Sequence, residues 1–199
     1  MNEYTIIRRP RELDWSTIPS LSMEYQLRPT DSPVRAWASL CYDDEALYVH
    51  LRAKEAHIRA EHHGPLGEIC EDSCMEFFFS PVPGDRRYFN IECNPNGALY
   101  LGMGSNAHNL VRFVPEEPSI HPEPRRTEDG WEVTYAIPYT FIRQFFPEFK
   151  AEPGGHIRAN CYKCGDLTVQ KHFFTWNPTP ILPYASFHNP DGFGIMYFA

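Results

Sequence analysis

Asp72 to Gly97 reads DSCMEFFFSPVPGDRRYFNIECNPNG, two strand-like runs joined by a Pro/Gly loop, Pro81 to Asp85. In the first run Cys74, Glu76 and Phe78 point one way, while Met75, Phe77 and Phe79 point the other. In the second, Phe89, Ile91 and Cys93 form an apolar row opposite Tyr88, Asn90, Glu92 and Asn94. That period of two predicts a strand with one face for a core and one for polar work. An aromatic, two amides and a carboxylate on one face suit a polyhydroxylated ligand, because each hydroxyl both donates and accepts hydrogen bonds. The alternative is a sheet face wetted by solvent.

Outward from this pair the pattern repeats. Tyr4 to Ile7 reads as a first strand, and Trp15 is expected to plug one end of the core. Met23 to Leu27 reads as an edge strand. Val34, Ala36, Ala38 and Leu40 alternate with Arg35, Trp37, Ser39 and Cys41; the turn Asp43-Asp44-Glu45 then leads to Leu47, Val49 and Leu51, a hairpin signature. Residues 53–71 break the pattern and read as a long loop with a helical turn. Asn94-Pro95-Asn96-Gly97 is a tight turn, with Gly97 free to take positive φ. Trp131, Val133, Tyr135 and Ile137 form another one-faced strand. Pro138 opens a short helix over Tyr139 to Phe146 that Pro147 ends. Arg158, Asn160 and Tyr162 alternate with Ile157, Ala159 and Cys161. His172 to Trp176 is a strand leading into an exposed loop, Asn177 to Pro183, and Phe193 to Phe198 is the last strand. The expectation is all-β: an antiparallel β-sandwich or jelly roll with one short helix, as a single domain over residues 1–199.

Composition bounds the function. The chain has 199 residues, a net charge of −8, 19 prolines and a 15% aromatic fraction. Prolines in that number punctuate short segments and disfavour long helices. The acidic balance argues against a nucleic-acid partner, which needs a basic patch. No apolar run reaches the roughly 20 residues that span a bilayer, and MNEYTIIRRP lacks the apolar core of a secretory signal. The expectation is a cytoplasmic chain with no membrane partner, or a secreted one if it is a module of a larger protein. The six cysteines sit mostly in strand patterns, as small buried hydrophobes do. Cys70-x3-Cys74 and Cys161-x2-Cys164 are the pairs from which a zinc site would be built.

Aromatic rings bind sugars by stacking on the apolar C–H face of a pyranose. Trp176, at a strand end beside Asn177-Pro178, is expected to stand at such a rim; Trp15, Trp37 and Trp131 are expected to pack. Several segments together resemble carbohydrate-binding module family 9 and its DOMON-like relatives. They are Tyr42-Asp43-Asp44-Glu45-Ala46-Leu47-Tyr48-Val49, Asp72-Ser73-Cys74-Met75-Glu76-Phe77-Phe78, Tyr88-Phe89-Asn90-Ile91-Glu92-Cys93-Asn94, Trp131-Glu132-Val133 with Ile137-Pro138, Trp176-Asn177-Pro178, and Phe187-His188 followed by Phe193-Gly194. The resemblance runs from about Val34 to the C-terminus.

It implies a β-sandwich that binds a sugar without catalysis, in the service of polysaccharide or oligosaccharide degradation, with gluco- or xylo-type ligands as the expected class. In the best-known type two tryptophans clamp a sugar ring. Trp176 corresponds to the downstream one, and Cys70 stands where the upstream one falls, with His62, His63 and Tyr88 as the nearby residues able to replace it. The family's strand glutamate corresponds to Glu76, and its hydroxyl-gripping positions fall near Glu92 and Asn94. With Asn90, Tyr88, Arg158 and Asn160 these complete the expected ligand-binding set. Some relatives carry structural calcium, for which Asp43, Asp44 and Asp72, with Glu45 and Glu71 beside them, supply hard oxygen donors. Two alternatives remain. Glu76 and Glu92, on one side of a hairpin, are the arrangement a glycoside hydrolase uses; redox members of the wider superfamily hold haem between methionine and histidine.

Overall fold

The computed structural model describes residues 1–181 and 185–199. Its strands are β1 (Glu3–Arg8), β2 (Ser20–Ser22), β3 (Tyr25–Gln26), β4 (Arg35–Tyr42), β5 (Ala46–Lys54), β6 (Cys74–Ser80), β7 (Tyr88–Cys93), β8 (Leu99–Asn106), β9 (Asn109–Arg112), β10 (Glu123–Thr127) and β11 (Gly130–Pro138). A single α-helix, α1 (Tyr139–Phe145), precedes β12 (His156–Gly165), β13 (His172–Thr175) and β14 (Gly194–Phe198).

They form an all-β sandwich. One sheet runs β9-β8-β7-β6-β12-β14-β1; the other runs β1-β4-β5-β11-β10, with β2 beside β4. The long β12 takes β6 along one edge and shares its other edge between β14 and β13, and β3 pairs with β13. β1 joins the two sheets. Its first residues pair with Ile195 to Phe198 of β14 and its last two with Cys41 and Tyr42 of β4, both parallel; the other ladders are antiparallel.

The core between the sheets follows the alternation read from the sequence. Met75, Phe77 and Phe79 of β6 and Phe89, Ile91 and Cys93 of β7 meet Val49, Leu51, Trp131 and Val133 of the facing sheet. Each such side chain contributes roughly 1.5–3 kcal/mol by leaving water. α1 closes one end, with the rings of Phe89 and Phe141 5.2 Å apart. At the opposite end a buried polar cluster ties the sheets together. Lys163 Nζ on β12 lies 3.2 Å from the carboxylate of Glu55, just beyond β5, and that carboxylate accepts from Ser73 and from the Trp131 indole.

The two central strands are buried on both faces, not one. A second apolar cluster covers their outer face, where Phe187 and Phe193 from the C-terminal segment pack on Phe78, Tyr88 and Tyr162. The expected wetted face is therefore roofed. Trp15 does not plug the core: it lies in a 3-10 turn, Trp15–Thr17, its ring 5.1 Å from that of His50 on the outside of the second sheet. Trp37 is likewise half-exposed on that outer face. The loop expected over Asn177 to Pro183 is strand-free through residue 181, and its last two residues lie outside the described ones.

Candidate functional site

The roof over the first sheet leaves an opening. A cavity of about 340 Å³ is lined by Glu76, Glu92, Cys70, Cys164, Tyr100, Phe173 and His188, with Glu68, Asp166 and Arg28 among the other lining residues. Register explains the convergence. Glu76 pairs directly with Glu92, and Glu92 with Tyr100, so one cross-strand row spans β6, β7 and β8. The next row runs Phe173, Cys164, Cys74 across β13, β12 and β6. Directly opposed residues in a sheet place their side chains side by side on one face. Carboxylates and thiols thus make the floor, and rings on β13 and β8 make the walls. With strands about 4.8 Å apart, Phe173 and Tyr100 spring from backbones on the order of 19 Å apart. They wall a trough and do not clamp one ring from both sides.

The electrostatics of the floor are unusual. Burial pushes Glu92 up to about 7, a rise that the neighbouring Asn90 amide and the Arg112 guanidinium oppose. Burial, and then the charge of Glu92, hold Glu76 well above the ordinary carboxylate range. Glu92 thus ionises first and its charge keeps Glu76 protonated. Once pH exceeds about 7 the pair offers an O–H donor beside a carboxylate acceptor, which a diol or a sugar hydroxyl can satisfy together. The Cys164 thiol donates to Glu76 Oε1 at 3.0 Å. Tyr100 is fixed by Arg112, whose guanidinium lies 4.1 Å from its ring centroid and donates to the Gly67 carbonyl. His188 is held 3.1 Å from the Tyr88 hydroxyl, and burial lowers its pKa to about 4, so it is neutral.

The family model for carbohydrate-binding family 9 matches residues 11–198. The chain belongs to that family. Family 9 is a non-catalytic group of carbohydrate-binding modules. Among solved structures the chain is similar to a Bacteroides uniformis ATCC 8492 protein described as a candidate carbohydrate-binding protein, at 25% identity and TM-score 0.83 over 99% of both chains. Two structures of a family 9 module from Caldicellulosiruptor kristjanssonii share the fold at 13% identity. The one in complex with glucose has TM-score 0.69, covering 100% of this chain and 96% of that one; the one with cellotriose has 0.68, covering 99% and 93%. No curated protein matches the chain significantly.

Set against the family-derived expectations, the structure brings only part of the predicted site together. Glu76 and Glu92 share the cavity, and Cys70 lines it at the place where the resemblance put the missing ring. Trp176 does not. It is 5% exposed, belongs to the core between the sheets, and its ring lies over Gly194, where an added Cβ would approach to 2.7 Å. The reason is parity: the extended chain continues past β13, with Trp176 N–H donating to the Cys161 carbonyl, so Trp176 keeps the inward phase of Phe174. Phe173, one position out of phase, reaches the cavity instead.

Other predicted ligands are structural. Asn94 holds its own turn, accepting from Asn96 and Ala98 N–H and donating to the His62 carbonyl and Asp72. Asn160 brackets Asn177 and Gly192, and Arg158 ties down Phe193 and Gly194 carbonyls. Tyr88 supports His188 from behind. Asn90 is buried beside Glu92 with no fully formed hydrogen bond to its amide. Of the substitutes for the second clamp ring, His62 is engaged with Glu71 at 2.9 Å, and neither His62 nor His63 lines the cavity.

The calcium donors do not converge either. Asp43 accepts from the N–H groups of Glu45 and Ala46 and from Tyr48 O–H, and Asp44 pairs with Arg8 on the surface. Asp72 is fully buried elsewhere and accepts from Glu61, His62 and Asn94. Among the described residues no helix is long and apolar enough to cross a membrane.

Proposed function

We propose that the cavity over β12, β6 and β7 binds one end of a saccharide, with Glu76 and Glu92 gripping adjacent hydroxyls and Tyr100 or Phe173 stacking on the sugar's apolar face. The observation that carries this reading is the direct pairing of Glu76 with Glu92 at the floor of an aromatic-walled cavity. A second cavity of about 640 Å³, on the outside of the other sheet, has no such buried pair. Neutral His188, whose Nδ1 lies 3.1 Å from the Tyr88 hydroxyl, adds a polar ring to the lining. Buried polar groups discriminate strongly against ligands that leave them unpaired, so vicinal hydroxyls are the recognised feature. Relatives crystallised with glucose and cellotriose favour gluco-type ligands over xylo-type ones. The reading is of a binding protein acting alongside polysaccharide or oligosaccharide breakdown.

Calorimetry with glucose, cellobiose, cellotriose and xylo-oligosaccharides, run in EDTA, tests it. Binding should appear with the wild-type chain, fall at least about tenfold in Glu76→Ala, where both the O–H donor and the carbonyl acceptor are lost, and survive Trp176→Phe. Silence toward every saccharide at millimolar concentration, or full affinity in Glu76→Ala, rejects the assignment.

A further inference from the structure

The floor of the cavity also carries a donor set of which hydroxyl recognition uses only Glu76. Cys74 and Glu76, two residues apart on β6, share a face, and Cys164 on β12 is the direct cross-strand partner of Cys74. The Cys164 sulfur lies 3.0 Å from Glu76 Oε1 and the Cys74 sulfur 4.0 Å from the same oxygen. All three donor atoms fall within 4.8 Å of one another. A tetrahedral zinc ion, with bonds of about 2.0–2.3 Å, holds its ligand atoms roughly 3.5 Å apart. The observed separations bracket that value without any change of backbone, on strands that are among the most buried in the fold.

We infer that Cys74, Glu76 and Cys164 form a binding site for a thiophilic divalent cation, zinc above all, whose fourth position opens into the cavity that Glu76 and Cys164 line. Two thiolates select zinc over calcium or magnesium, and the single carboxylate suits a borderline ion. The surroundings favour a cation. The described lining residues carry four carboxyl groups, Glu68, Glu76, Glu92 and Asp166, against one guanidinium, Arg28. The entry path is the cavity itself. Without an ion the thiols stay protonated, Cys74 because it is buried and Cys164 through its hydrogen bond with Cys74 and then burial. Metal binding displaces those two protons and the Glu76 proton into solvent, and so weakens as pH falls.

The site stands whether or not a sugar binds, and its test uses no sugar. The full-length chain, kept reduced, is titrated with Co²⁺ as a spectroscopic stand-in and with Zn²⁺ against a chromophoric chelator. One equivalent should bind, with thiolate-to-cobalt charge-transfer absorption in the near ultraviolet. Cys74→Ser, Cys164→Ser and Glu76→Gln should each lower zinc affinity at least about tenfold, as loss of a ligand does. Cys70→Ser, which keeps all three donors, should retain the band. Absence of the charge-transfer band from the wild-type chain, which needs no variant to fold, overturns the inference. So does a band that persists in both Cys74→Ser and Cys164→Ser. Saccharide calorimetry in EDTA reports separately, so either reading can fall while the other stands.

Discussion

Glu76 and Glu92 face one another as a direct cross-strand pair on β6 and β7, both almost completely shielded from water. Like charges so placed cannot both ionise cheaply, and the sheet holds them there because their strands are fixed from both faces. The cost is accepted where the roof of the first sheet opens.

This pair makes stability depend on pH in a stated direction. Glu92 has its folded-state pKa raised from 4.5 to about 7, so between those values the folded chain holds a proton that the unfolded chain has lost. Its stabilising contribution is complete below about 4.5 and disappears as pH rises through about 7. Urea denaturation at several pH values should show Glu92→Gln gaining on the wild type as pH rises across this window, by on the order of 2–3 kcal/mol at most. Parallel profiles for the two proteins contradict the assignment.

Trp176 should behave as a core residue. Trp176→Ala should cost about 3–5 kcal/mol of unfolding free energy, the usual price of emptying so large a buried site. The folded fraction should retain its saccharide affinity. Near-normal stability combined with lost binding would instead return Trp176 to the ligand.

Lys163 and Glu55 form a buried ion pair whose halves depend on each other. His172 Nε2 lies 2.9 Å from Lys163 Nζ, and burial together with the Lys163 charge lowers His172 to about 4, so His172 accepts from the ammonium as a neutral ring. Lys163→Met alone should destabilise by about 3–5 kcal/mol, because Glu55 is left buried without its counter-ion. Lys163→Met combined with Glu55→Gln should recover a large part of that loss, and a double-mutant cycle in denaturant measures the coupling.

Tyr100 is pinned by Arg112 on the wall of the cavity. Tyr100→Ala should weaken saccharide binding by about 0.5–1.5 kcal/mol, the range of one aromatic contact beyond its area. Tm should move little, since Tyr100 is only half-buried. Unchanged calorimetric affinity would pass the stacking role to Phe173.

Much of the fold was legible because period-two alternation survives in single strands. The inward rows of β4, β5, β6, β7 and β11 read directly from Val34, Leu47, Phe77, Phe89 and Trp131 onward. That Glu76 and Glu92 share a face was legible for the same reason. What sequence could not show was the second layer over β6 and β7, since Phe187 and Phe193 arrive there from more than ninety residues away. Without that roof, Asn90, Asn94 and Asn160 look like a wetted hydrogen-bonding face, whereas in the fold they are buried and two of them satisfy backbone. Trp176 sits at a strand end, where a side chain can stand at a rim, but parity with Phe174 sends it inward. The same count would have flagged Phe173. Cys164 beside Cys74 needed the β12–β6 register, which no local pattern encodes.

β1 joins the sheets by pairing with β14, whose residues lie at the far end of the chain. During synthesis at about 5–20 residues per second, β1 waits on the order of 10–40 s for that partner to leave the ribosome. Until then its peptide groups, and the unfinished edge of β12, are open to chaperones or to a neighbouring nascent chain. Closure of the sandwich therefore waits until β14 has been made, however early β1 is complete.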